Sequence, residues 1–310
     1  MSMLVHLQDK IRTTGAVISR LESELSRHPD SMGIAANIIS MRKLHSKLES
    51  DFENAADAIG LDVLHYRILD EQPTAKSLAS SVGTFQDALT VAYDALRNGP
   101  KARRSVSSSV IAETELRVAY SYPGSFGVVF TVSNERLLIP EMQSYFDKAT
   151  EAVVKLGKAQ ENKEAFANAE RSLGRATLTA VYDWAKANSE AKTGASIEWR
   201  RGEKERGSAL IQLPEFSAVA ESLERISRRT EEDKVVLGTL VGADIKTGRF
   251  HLVVTENDED IRGKFSDAIS ESQVAKLPGR YSAILRKTTE ITYATDQEKT
   301  SYFLEKLEQR

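Results

Sequence analysis

Leu4, Leu7, Ile11, Thr14, Ile18, Leu21 and Leu25 follow one another at alternating steps of three and four residues. That spacing is a heptad seam, and a chain carrying it is committed to a long amphipathic helix with one apolar edge to cover. His28-Pro29-Asp30 interrupts the pattern, because proline cannot continue the helical ladder. A second seam then runs through Ile34, Ile38, Met41, His45, Leu48, Phe52 and Ala55. Positions paired across the break sum to 59: 4 with 55, 7 with 52, 11 with 48, 14 with 45. Two heptad helices joined by a short turn fold back antiparallel. In this register apolar layers meet apolar layers, and the one polar position on each side meets the other, Thr14 against His45. The expectation is a hydrogen-bonded polar layer that fixes the register.

The break tripeptide is similar to that of J-domain co-chaperones. The Leu/Ile heptads around it are unlike a J domain's short first helix and basic second helix, so the tripeptide is read as a turn.

Downstream, Gly60 ends the second helix. Val63 to Leu69 (VLHYRIL) alternates as a strand, with Val63, His65, Arg67 and Leu69 on one face. Pro73-Thr74 opens a helix that ends at Asn98-Gly99-Pro100. Lys101 to Ser109 reads as an exposed, mobile loop. Leu116 to Tyr122 and Phe126 to Val132 read as a hairpin around a type II turn at Pro123-Gly124. A helix is expected from Pro140, a single long one from about Asn162 to Asn188, and a second hairpin over Ala195 to Leu213 with Gly202 to Gly207 as its turn. Pro214 opens the last helix of this block. Hairpins with segregated helices make the block α+β.

From Asp233 the pattern turns to strands: Val235 to Ile245, Arg249 to Val254 and Ile261 to Phe265. A short helix from Asp267 follows, then Tyr281 to Leu285 and a segment at Thr300 to Leu307 that fits strand or helix. The order β-β-β-α-β-β resembles the OB-fold, a five-stranded barrel. The fold class is therefore α+β. A coiled-coil-like helical hairpin occupies 1–60, a central α+β domain with two β-hairpins 61–229, and a small barrel-like, OB-like domain 230–310.

The 310 residues are 41% hydrophobic and 28% charged, which allows a sizeable core. There is no cysteine, which excludes disulfides, thiolate metal sites and cysteine nucleophiles. No apolar run approaches the ~18 residues a membrane span needs, and no apolar signal region opens the chain. The expectation is a cytoplasmic protein with no membrane partner.

Net charge is −4 over residues 1–96, +4 over 97–229 and −3 over 230–310. The basic clusters sit mainly in the middle segment. Arg103, Arg104, Arg200, Arg201, Arg228 and Arg229 are the candidate phosphate or nucleic-acid contacts if they share a face. Trp199 or Phe250 would then be the residue to stack a base. Glu198, Glu203, Lys204 and Glu205 surround a hairpin, but lack the acid-x-lysine spacing of a metal-dependent nuclease and read as a solvated turn. None of the five histidines pairs with another at metal-ligand spacing. No catalytic, cofactor or metal site is assigned.

The leading function is a non-enzymatic binding or adaptor protein. Its hairpin would dock a protein partner or a second copy of the chain. The alternative is a nucleic-acid-binding protein, in one form a metal-dependent nuclease-like enzyme.

Overall fold

The chain turns back on itself at Pro29. Helix α1 (Ser2–Arg27) and helix α2 (Met32–Ala58) pack as an antiparallel hairpin, and Ser31 caps α2 by accepting the Ile34 N–H. The structure, a computed structural model, describes residues 2–70, 73–122, 126–134, 142–225, 227–244, 246–266, 276–292 and 298–309.

The seam is buried at its base, where Leu7, Ile11, Leu48, Phe52 and Ala56 join Val63, Tyr120 and Val129 of the sheet below. Leu21, Leu25 and Ile34 near the tip are half-buried. The polar layer differs from the expectation: each residue contacts its own helix, and His45 Nε2 is buried without a hydrogen-bond partner. The Thr14 hydroxyl donates to the Lys10 carbonyl at 2.7 Å, and His45 Nδ1 lies 3.5 Å from Glu49. A hydroxyl four residues along its own helix reaches the backbone without waiting for a partner helix. The pairing of positions 14 and 45 remains testable: a Thr14→Cys, His45→Cys variant is expected to crosslink under mild oxidation. Crosslinking of a neighbouring layer instead would shift the register.

Five antiparallel strands form the first sheet: β1 (Leu61–Ile68), β2 (Arg117–Ser121), β3 (Gly127–Ser133), β4 (Ala195–Arg201) and β5 (Lys204–Ile211), in the order β2-β3-β1-β4-β5. The central strand β1 serves two faces by alternation. Val63, on the hairpin side, meets α2. Tyr66, on the other side, packs on Phe85 of α3 (Ala75–Asn98) with centroids 5.2 Å apart. Phe85 in turn packs on Trp184 of α7 (Arg175–Glu190). The Trp184 indole N–H donates to the Tyr66 hydroxyl at 3.0 Å, so this large aromatic is buried with its polar atom satisfied. That helical side also holds α5 (Tyr145–Gly157), α6 (Lys163–Leu173) and α8 (Leu213–Arg225).

Several local expectations are corrected. The stretch after Gly99 is exposed but tied at both ends. Lys101 pairs with buried Asp94, Arg104 pairs with Asp183 at 2.6 Å, and α4 (Ser108–Thr114) follows. The single helix expected over Asn162 to Asn188 is two, α6 and α7, broken at Gly174 with φ +84°. A Cβ at Gly174 would lie 2.3 Å from the Lys101 carbonyl oxygen. The break therefore comes from the close approach of a distant backbone segment. α5 starts at Tyr145 behind a Ser144–Asp147 capping box. The expected start at Pro140 lies outside the described residues, as does the Pro123-Gly124 turn. The second hairpin turns at Gly202-Glu203, because Lys204 to Gly207 already belong to β5.

The remaining strands are β6 (Ser227–Asp244), β7 (Arg249–Val254), β8 (Asp260–Phe265), β9 (Gly279–Thr292) and β10 (Glu298–Gln309). They close a barrel in the order β10-β8-β7-β6-β9. β8 and β10 run parallel and the other pairs antiparallel, which is OB-type connectivity. The last segment is thus strand, not helix. Leu240, Phe250, Leu252, Ala283, Leu285 and Leu304 fill the interior. Gly263 lets β10 approach β8, since a Cβ there would meet the Tyr302 carbonyl oxygen at 2.2 Å. The helix expected from Asp267 lies outside the described residues. The chain divides into two compact units, Met1–Leu223 and Glu224–Arg310; the hairpin and the central α+β block share the first.

Candidate functional site

In the first unit, the hairpin-facing side of the sheet is not fully covered by apolar residues. Antiparallel pairing sets His65 beside Glu198 and Val63 beside Arg200, so the odd-numbered side chains of β1 share a face with Glu198 and Arg200. Above them α2 presents Ser46, Glu49, Ser50 and Glu53, spaced by three and four on one helical stripe. Together with Arg67, Tyr122 and Glu203 these residues line a polar cleft of about 570 Å3.

Glu53 is its innermost acid, 3% exposed. His65 Nε2 lies 3.2 Å from one of its oxygens and Arg200 Nε 3.5 Å from the other. His65 Nδ1 contacts the Tyr122 hydroxyl, and the Arg67 guanidinium lies over the Tyr122 ring, 5.2 Å from its centroid. Arg200 also approaches Glu198 at 3.4 Å. Burial, with the charge of Glu49 next, raises the Tyr122 phenol well above its ordinary range. Tyr120 is raised in the same direction, chiefly by burial. Both hydroxyls therefore stay protonated.

Glu203 is corrected from a solvated turn residue. Its carboxylate accepts from Ser50 at 3.0 Å and Asn54 at 2.9 Å, which docks the β4–β5 turn on α2 and lowers its pKa. Among the described residues no group of three or more His, Asp or Glu side chains could hold a metal ion.

Arg200 and Arg201 are neighbours in sequence but point to opposite faces of the sheet. Arg201 enters the helical side and grips Asp62 with two hydrogen bonds of 2.8 Å. Asp62 is 1% exposed. Asp147 lies 3.8 Å from Arg201 and 3.1 Å from Arg206, and Asn134 donates to Asp62 at 3.1 Å. Burial raises the Asp62 carboxyl against the opposing pull of Arg201.

Of the other candidate phosphate contacts, Arg103 is exposed and Arg104 is held by Asp183. Arg228 and Arg229 lie on β6 of the second unit, paired with Ile291 and Glu290 of β9. The two aromatic candidates are buried: Trp199 is 5% exposed and Phe250 3%. Strand alternation turns both inward, so neither offers a stacking face.

A second basic surface, which the sequence clusters do not mark, lies on the barrel. β7 pairs with β8 so that Arg249 faces Lys264 and His251 faces Arg262. These four side chains alternate outward while Phe250, Leu252 and Ile261 turn into the core. They line a groove of about 820 Å3 with Gly242, Asp244 and Thr247. Asp244 builds the β6–β7 turn, accepting the Lys246 and Thr247 N–H groups and the Thr247 hydroxyl at 2.6 Å. Asp260 accepts a contact from His251 at 2.8 Å. Both carboxylates near the cations are thus occupied, and Lys246 in the turn is exposed. Arg262 and Lys264 enter no ion pair among the described residues. Glu256, Asp258 and Glu259 sit in the β7–β8 turn, at the opposite end of β7. The signal was available: Arg249-x-His251 and Arg262-x-Lys264 are strand-period pairs on consecutive strands. Comparison with protein-family models, curated proteins and solved structures found no match to this chain.

Proposed function

We propose that the protein is a non-enzymatic binding protein whose barrel groove takes the phosphate backbone of single-stranded nucleic acid. The observation that supports this reading is the juxtaposition of Arg249 with Lys264 and His251 with Arg262 on β7 and β8, beside the turn carrying Lys246. In barrels of this connectivity, the second and third strands and the turn before them form the face that binds oligonucleotides. Cations on that face neutralise phosphates and release counterions. Phe250 lies along the groove but is only 3% exposed, which favours backbone contact over base stacking.

Fluorescence anisotropy with a labelled oligothymidine tests it. With about three phosphates engaged, log affinity should fall against log salt with a slope near −2. A slope near zero, or no binding at low salt, rejects the reading. Hairpin-mediated docking is the second reading. The exposed Met32, Ile39 and Leu44 on α2 favour it, since the seam itself is spent inside the hairpin. Sedimentation equilibrium would then show a dimer that Ile39→Asp dissociates, and a monomer at all concentrations rejects self-association.

A further inference from the structure

We propose that the first half of β6 is a self-association edge, along which two copies of the chain pair antiparallel about a two-fold axis at Thr230. The free edge comes first. β9 pairs with one side of β6 from Ser227 to Leu240. On the other side β7 pairs only from Gly238 to Asp244, and the Thr255 N–H donates to the Leu237 carbonyl. Just before that point Glu259 of the β7–β8 turn lies 3.8 Å from Lys234. From Ser227 to Asp233, among the described residues, no strand lies on this second side of β6. An edge of this kind offers its backbone N–H and C=O groups to another strand.

The order of charges along the edge is the second, independent observation. Arg228-Arg229-Thr230-Glu231-Glu232 is complementary in charge to its own reverse. Antiparallel pairing about Thr230 sets Arg228 opposite Glu232 and Arg229 opposite Glu231, and the two-fold axis repeats both pairs. Residues directly opposite each other must both turn their backbone groups to the shared edge, and those groups alternate along a strand. The axis therefore passes through a residue and not between two. An axis at Arg229 would set that arginine against its own copy. An axis at Glu231 would do the same to a glutamate and bring Arg228 opposite Lys234. Parallel pairing would oppose like with like throughout. Thr230 is also the midpoint of the free stretch, so the register with the longest ladder is the one that matches its charges. Opposite charges across a strand pair stabilise it and like charges destabilise it. Charges on an edge ordinarily block pairing, but this order admits one register, and the partner that carries the matching order is a second copy. Arg228 and Arg229, which neither the groove nor the cleft uses, thereby gain a role.

Sedimentation equilibrium of the full chain tests the association. A dimer is expected to form at about 100 µM protein and low salt, in the range of a small interface. Arg228→Glu with Arg229→Glu should weaken it by about thirtyfold or more, as should Glu231→Arg with Glu232→Arg. An equimolar mixture of these two double variants should recover the dimer, and so should the chain carrying all four changes, each to within about threefold of wild type. Ile39→Asp should leave it unchanged, which separates this edge from hairpin docking. The chain has no cysteine, so a lone introduced thiol reports on the axis without altering any charge, and this arm decides where a reversal variant unfolds. Thr230→Cys, opposite its own copy, should give a covalent dimer under mild oxidation, and Ser227→Cys, opposite Asp233, should crosslink about tenfold more slowly. A monomer at every concentration up to about 200 µM, a dimer indifferent to both reversals, folded reversal variants that neither mixing nor the fourfold change restores, or equal crosslinking through positions 227 and 230 would each overturn the assignment.

Discussion

Arg201→Ala is expected to cost the first unit about 3–5 kcal/mol, enough to consume a large share of a typical domain's stability. Asp62 would be left 1% exposed with one hydrogen bond, the 3.1 Å donation from Asn134, in place of a two-pronged grip at 2.8 Å. A buried carboxylate without its cation pays its desolvation in full. Burial already raises the Asp62 carboxyl in the folded state, and removing Arg201 raises it further. Protonation then favours the fold, so the variant's deficit is present at pH 7 and shrinks as pH falls through the raised folded value. Chemical denaturation at a series of pH values checks this. Pairing Arg201→Met with Asp62→Asn should recover most of the loss, because the cost lies in the orphaned charge. A loss below about 1 kcal/mol in the single variant would show that solvent reaches Asp62.

The contrast with Arg200 shows what sequence could and could not deliver. Read in a line, Arg200-Arg201 is a basic patch. Folded into β4, alternation sends Arg201 into the helical side and Arg200 into the cleft, where its approach to Glu53 is 3.5 Å. The hairpin was legible because each helix carries its whole contact surface as a local three-four rhythm. The barrel's order was legible because each of its strands alternates and is punctuated by turn residues. The break at Gly174 was not legible. Its cause is the Lys101 backbone, more than seventy residues away, packed where a Cβ would stand. The cleft was half legible. Ser46, Glu49, Ser50 and Glu53 form a polar stripe beside the apolar seam, His65 and Arg67 share a strand face, and so do Glu198 and Arg200. Each is a pattern of period, but only strand pairing brings the three together.

The same logic of period and pairing gives the groove its largest expected effect. Arg262→Glu with Lys264→Glu replaces two attractions to phosphate by two repulsions. At about 1 kcal/mol for each exposed charge pair at contact distance, the change is roughly 4 kcal/mol. That corresponds to about a thousandfold loss of single-strand affinity at low salt, with a salt slope shallower by about 1.4 for two lost phosphate contacts. Stability should change by less than about 0.5 kcal/mol, because both residues are exposed and enter no ion pair among the described residues. The result can therefore be read as binding and not as unfolding. Arg200→Glu in the first unit serves as the comparison. That residue is spent on Glu53, Glu198 and the Glu203 carbonyl, so its reversal should leave nucleic-acid affinity within about threefold of wild type. If instead Arg200→Glu abolished binding and the Arg262, Lys264 double variant bound as wild type does, phosphate contact would belong to the first unit. The barrel groove would then be a solvated surface.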